Sequence, residues 1–432
     1  MASITYPSGN QVAYAYDAAG RVSGVTANGQ TLVSGVTYMP FGMASGWTAG
    51  NGASYQRTID QDGRITGLTL PASDNIALTY DAASHITGMT ETGFPAASFT
   101  YNGVDRLRTY ASGAATQTYT YDVDGNRASY LDNATPPVSL AYSYDAASNR
   151  LLAIGGSWAG SFTYDASGNM LSYSTPFSGY SFSYDARNRL TESFVGAIGT
   201  SWLINGLGQR IAQMNGSVPQ LFFVYDEAGH PTGKYDGGGN PLQETVWLGD
   251  LPVAVLSPSG QYYVAPDNLG SPHQITDASG AVVWLWNHDP FGNGDPTGTF
   301  TYDLRFPRQF FDQGAKLHYN YFRDYDQRTG RYIESDPIGL AGGINTYGYV
   351  DSNPLTRTDA SGLVPGGFTS VPPDGRPKPN QCLVEHYTCE SAFNACLANT
   401  GKSLLCYESW KKCLNPTPGV PIIFPGGIVV FP

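Results

Sequence analysis

The chain has 432 residues, among them 52 glycines and 30 tyrosines, with only 13% charged residues and a net charge of −12. That balance excludes a surface built to bind phosphate backbones or acidic membranes, which needs a basic face. No apolar run approaches the ~18–20 residues of a membrane helix, and turn formers combined with aromatics point to an all-β fold of short strands.

The opening MASITYPSGN lacks a basic start followed by an apolar run, so no secretory leader is expected there. Internal repeats then dominate. Clear copies are YDAAGRV from Tyr16, YDAASHI from Tyr80, YNGVDRL from Tyr101, YDVDGNR from Tyr121 and YDAASNRL from Tyr144. YDASGNM from Tyr164, YDARNRL from Tyr184 and YDEAGH from Tyr225 continue the series, and INGLGQRI from Ile204 is a degenerate copy. From Tyr80 onward the copies begin 20 to 23 residues apart, which signals stacked supersecondary units. Each unit reads as a hairpin. In SFTYDASGNMLSYS, Phe162 and Tyr164 alternate with polar residues as in a strand with one buried face, and Asp-x-x-Gly-Asn supplies the turn. A lone hairpin is marginal in water, so neighbouring copies must join one long sheet. The YD pair is read as architectural.

After about residue 260 the repeats give way to YYVAPDNLGSPHQITDASG, WNHDPFGNGD, RFPRQFFD, YFRDYDQRTGRYIESDPIGLAGGINTYGYV and DSNPLTRTDASGL. With the YD units, these motifs resemble the Rhs/YD-repeat family and its Rhs-associated core, which the Tc-toxin C subunits share. The resemblance covers residues 10–363. It implies a sheet spiralling into a hollow shell (1–260), a core segment (261–363) at one end, and a payload beyond it. On that resemblance the payload would be held inside the shell and released by self-cleavage through two core aspartates.

Carried onto this chain, the DPIG motif places the first aspartate at Asp336 and the closing DASGL places the second at Asp359, with the cut between Leu363 and Val364. Arg331 matches a basic residue of the motif and is expected to orient a carboxylate. Ala360 stands where the family has proline. The chemistry is sound on its own terms: peptide hydrolysis needs a base to activate water and an acid for the departing amine. Two carboxylates held close do not both ionise easily, so one acts as acid and the other as base. Cleavage would be intramolecular and single-turnover, with no cofactor or metal. No Cys-x-x-Cys or His-x-x-x-His pair signals a structural zinc site, and no P-loop, G-x-G-x-x-G or nucleophile elbow occurs.

Residues 364–432 differ in composition. Residues 1–363 carry 18 basic and 31 acidic residues and no cysteine, whereas the last 69 carry five basic and four acidic residues and all five cysteines. A Pro/Gly-rich linker precedes QCLVEHYTCESAFNACLANTGKSLLCYESWKKCLN, whose Cys spacing of seven keeps the thiols on one helical face. The stretch is expected to form a helical hairpin pairing Cys389 with Cys413 and Cys396 with Cys406, leaving Cys382 over; reduced thiols packing the seam are the alternative. The closing PIIFPGGIVVFP reads as a hairpin or as a strand added to another sheet.

The resemblance implies a secreted or delivered effector, or one displayed at the cell surface. Its partners would be its own C-terminal segment and an immunity protein or a secretion-apparatus component, with no nucleic acid bound by the shell. The rival reading is a non-catalytic YD-repeat protein with an inert shell and a docking tail.

Overall fold

The computed structural model describes residues 3–40, 42–176 and 178–364, with the short strands Gly366–Gly367, Ile422–Phe424 and Ile428–Val430. The chain divides into one compact unit of residues 1–39 and 44–369, and a second of 40–43 and 370–432. In the second unit the expected terminal hairpin forms, with Ile422 opposite Val430 and Phe424 opposite Ile428. The helical hairpin and all five cysteines lie outside the described residues.

In the first unit, 29 described strands, from Ser3–Thr5 to Thr297–Gly298, join one antiparallel sheet. It is a meander in which each strand pairs with the strand before and after it. The repeat motif explains why. Asp165 N–H bonds the Asn169 carbonyl and Gly168 N–H bonds the Asp165 carbonyl, at 2.9 and 3.2 Å. The Asp165 carboxylate meanwhile accepts the Asn169 backbone N–H at 2.9 Å and its side-chain amide at 2.8 Å. Gly168 has φ +91°, a conformation that glycine adopts without strain. In the unit from Ile59, Arg64 replaces the asparagine, pairing with Asp60 at 2.6 Å and lying 5.0 Å over the Tyr80 ring of the next unit.

The YD tyrosines join one unit to the one before. The hydroxyls of Tyr80, Tyr101, Tyr121, Tyr144, Tyr184 and Tyr225 each donate to a backbone carbonyl 14 to 17 residues earlier. Their rings therefore pack while their hydroxyls replace a lost water. The strand alternates as expected: Phe162, two residues before Tyr164, is buried and stacks on Tyr173 with ring centroids 4.7 Å apart.

The ribbon coils back on itself. Tyr6 and Tyr14 donate to the carbonyls of Thr245 and Trp247 at 2.9 and 3.0 Å, and the Asn51 amide donates to Asp277 O at 2.8 Å. A small four-stranded sheet, Phe310–Asp312, Leu317–Asn320, Arg323–Asp326 and Arg331–Tyr332, is buried throughout. It packs with Trp247, Trp284, Trp286, Phe306 and Tyr349 in an aromatic core. Repeat residues anchor this segment: Arg210 bonds Asp324 at 2.9 Å, Tyr347 donates to Gly168 O at 2.7 Å, and Met170 N–H donates to Ile333 O at 3.0 Å. No described helix is long and apolar enough to cross a membrane.

Candidate active site

The buried four-stranded sheet positions the site. In strand Arg323–Asp326, Tyr325 pairs in register with Tyr332, and Arg323 lies two residues before Tyr325, hence on the same face. That face meets the turns carrying Asp336 and Asp359. Arg323 Nη2 lies 2.8 Å from Asp336 Oδ2 and 3.6 Å from Asp359 Oδ2, and all three side chains are at most 2% exposed. Arg323 Nε also donates to Gly362 O and Nη1 to Thr346 O. Its guanidinium lies 3.8 Å from the centroid of the Tyr332 ring.

Asp359 is held as a hydrogen-bond acceptor. Its Oδ1 accepts the backbone N–H groups of Ser361, Gly362 and Leu363 at 3.2, 2.8 and 3.2 Å. Its Oδ2 accepts the Tyr332 hydroxyl at 2.8 Å, and Asn320 Nδ2 donates both to that hydroxyl and to Asp359 O. These bonds fix the turn to Leu363 from the aspartate itself, the job a proline ring at position 360 would share.

Asp336 is held differently. Its Oδ1 takes one N–H, from Ile338 at 2.9 Å. Burial pushes its carboxyl up to about 6, with the Asp359 charge adding to the rise and Arg323 and the Ile338 amide opposing it. Two buried carboxylates facing one guanidinium leave a surplus negative charge, which a proton on Asp336 removes.

The chain end completes the geometry. A side chain at Gly342 would begin 2.4 Å from Asp336 Oδ2 and 2.9 Å from Leu363 O, so this glycine gives the carboxyl and the carbonyl a common approach. Beyond Leu363 the backbone turns back, with Gly366–Gly367 pairing with Arg357–Thr358. The Leu363–Val364 bond therefore lies in the loop of a short hairpin, its two residues half-buried.

Arg331 does not take the role expected of it. Strand alternation points it away from Tyr332 and towards the repeats, where it donates to Asn149 O and lies 5.1 and 4.8 Å from the rings of Tyr144 and Tyr347. Arg323 is the carboxylate partner, supported by Tyr332 and Asn320. The signal was the alternation in FRDYD, which sets Arg323 and Tyr325 on one face.

The Teneurin YD-shell family matches residues 75–355 and the RHS repeat matches residues 2–31. The chain is 30% identical over 218 residues to double-stranded DNA deaminase toxin A of Burkholderia cenocepacia, covering 42% of this chain and 15% of that protein. It is 33% identical over 118 residues to toxin protein Tse5 of Pseudomonas aeruginosa, covering 26% of this chain and 9% of that one. The chain thus spans a small part of these curated relatives. The structure of the Photorhabdus luminescens Tc holotoxin pore aligns with a TM-score of 0.70 at 19% identity, over 86% of this chain and 21% of that one. A TcdB2-TccC3 crystal structure aligns with a TM-score of 0.68. At this identity the alignments establish the fold, and together with the family match they show that the chain belongs to the Rhs/YD-repeat family.

Proposed function

We propose that the chain is a self-cleaving Rhs-type shell that encloses its own residues 364–432 and releases them, as a toxin or effector, by cutting the Leu363–Val364 bond. The observation that carries this reading is the convergence at Gly342 of the Asp336 carboxyl and the Leu363 carbonyl, with Asp359 joined to both by Arg323 and by the turn it caps. Protonated Asp336 polarises the Leu363 carbonyl while Asp359 Oδ2 takes a proton from the attacking water. As the tetrahedral intermediate collapses, the proton on Asp359 passes to the Val364 nitrogen and Asp336 recovers its own. The C–N bond breaks, Leu363 gains a carboxyl group and Val364 a free amine. Arg323 balances the charge of the pair and holds the Gly362 carbonyl, so the bond is presented rather than searched for.

The toxin names among the relatives, and the composition change after Leu363, support a payload reading of the tail. Intact mass and N-terminal sequencing test the proposal. Wild type should give two fragments, one starting at Val364, whereas Asp336→Asn and Asp359→Asn should leave the single 46.2 kDa chain. A wild-type preparation that stays at 46.2 kDa overturns self-cleavage and favours the inert shell.

A further inference from the structure

Apart from the Asp336 and Asp359 pair, two acidic side chains and one imidazole meet in a buried cluster. Asp74 immediately precedes strand Asn75–Tyr80, and Glu91 ends the partner strand Ile86–Glu91. Glu91 pairs in register with Ile76, two residues after Asp74, so Asp74 and Glu91 share a face. His273, from strand Pro272–Thr276, reaches the same place, with its Nε2 2.8 Å from Glu91 Oε1. Each of the three residues is 8% exposed, and one ligand atom from each lies within 4.8 Å of the others. Asp74 Oδ1 is buried without a hydrogen-bond partner.

Two carboxylates and one imidazole carry at best one compensating charge, and an orphaned buried carboxylate oxygen is costly. We propose that Asp74, Glu91 and His273 form a divalent transition-metal site that ties the hairpin of residues 75–91 to the strand of residues 272–276. A dication neutralises both carboxylates and gives Asp74 Oδ1 a partner. One nitrogen and two oxygens suit zinc, manganese or iron(II). Ligand atoms ~2.0–2.2 Å from zinc sit about 3–4 Å from one another, so small side-chain rotations from the observed spacing suffice. No local motif announces the site, because only coiling of the sheet brings His273 to the hairpin that carries Asp74 and Glu91.

The test uses the full chain with its cysteines alkylated, so that thiols take no metal, stripped with a chelator and titrated with Zn²⁺. Wild type should bind one Zn²⁺ per chain and gain about 3 °C or more in Tm at saturation. Asp74→Asn should bind at least tenfold more weakly, yet in chelator it should melt at or above wild type, because the orphaned charge is gone. Equal zinc uptake and equal Tm shifts in wild type and Asp74→Asn overturn the site. Should that variant misfold, Co²⁺ added to wild type decides: d–d bands of an N/O site support the proposal and their absence overturns it.

Discussion

Asp336 and Asp359 meet on a single nitrogen of Arg323, at 2.8 and 3.6 Å, in a place almost closed to water. A buried charge pair of this kind is strongly sensitive to the loss of one partner. Arg323→Met should therefore slow appearance of the fragment starting at Val364 by at least ~100-fold and lower stability by about 3–5 kcal/mol. Arg331→Met should cleave within a few-fold of wild type while also losing stability. Time-resolved gel and mass analysis separates the two variants.

The cleavage rate should depend on pH through Asp336. Its carboxyl, raised to about 6 chiefly by burial, must carry a proton to polarise the carbonyl. The protonated fraction is nearly complete well below pH 6 and falls about tenfold per pH unit well above it. Rates of fragment release between pH 4.5 and 8.5 should be highest at the acidic end and decline through pH 6. A rate rising with pH across that range would reverse the assignment of acid and base.

Gly342→Ala should slow cleavage without unfolding the shell. The new methyl group would meet Asp336 Oδ2 at 2.4 Å and Leu363 O at 2.9 Å, wedging apart the two groups that must approach. Near-native circular dichroism with at least ~10-fold slower fragment release is expected, since small displacements at a reacting centre are expensive. Gly179→Ala, where the added methyl meets nothing within 4 Å, should cleave normally.

A second acidic cluster governs stability rather than chemistry. Glu334 accepts the Asp324 backbone N–H at 2.8 Å, and burial together with the Asp324 charge raises its carboxyl well above the ordinary range. A raised carboxyl contributes stability that is fully present below the unfolded value and lost as pH rises through the folded one. Glu334→Gln keeps an acceptor for that N–H and removes the titration. Its Tm should match wild type near pH 4.5 and exceed it by a few degrees at pH 8, as read by thermal melts in a buffer series.

The repeat tyrosines make a further prediction. Tyr184→Phe deletes the part-buried 2.8 Å bond to Met170 O. A loss of about 1 kcal/mol in urea unfolding is expected, within the usual 0.5–1.5 kcal/mol of an intramolecular hydrogen bond.

Much of this was legible in the sequence because the repeat is local. The Asp-x-x-Gly turn, the alternation around Phe162 and the unit length are written in consecutive residues, and the structure reproduces them. Asp336 and Asp359 came from motif resemblance, and their meeting at one guanidinium is a long-range fact. Arg331 misled because adjacency in a motif says nothing about which face of a strand a side chain takes; its neighbour Tyr332 faces the site instead. No sequence pattern singles out Gly342, whose missing side chain is what admits Asp336 to Leu363 O. The Asp74, Glu91 and His273 cluster was invisible, because a hairpin sets only the Asp74–Glu91 spacing and coiling of the sheet brings in His273.

The meander has a consequence for timing. Each hairpin needs only its predecessor, through ladder bonds and the backward-reaching tyrosine hydroxyl, so the wall can be laid down in the order in which the chain is synthesised. The carboxylate site cannot. Arg323, Tyr332, Asp336 and Asp359 belong to the segment that follows the wall, which leans on Gly168, Met170, Arg189 and Arg210, made long before. In the proposed mechanism the cutting site is thus completed only after the repeats that hold it have been made, and the chain's own order of synthesis acts as the safety catch.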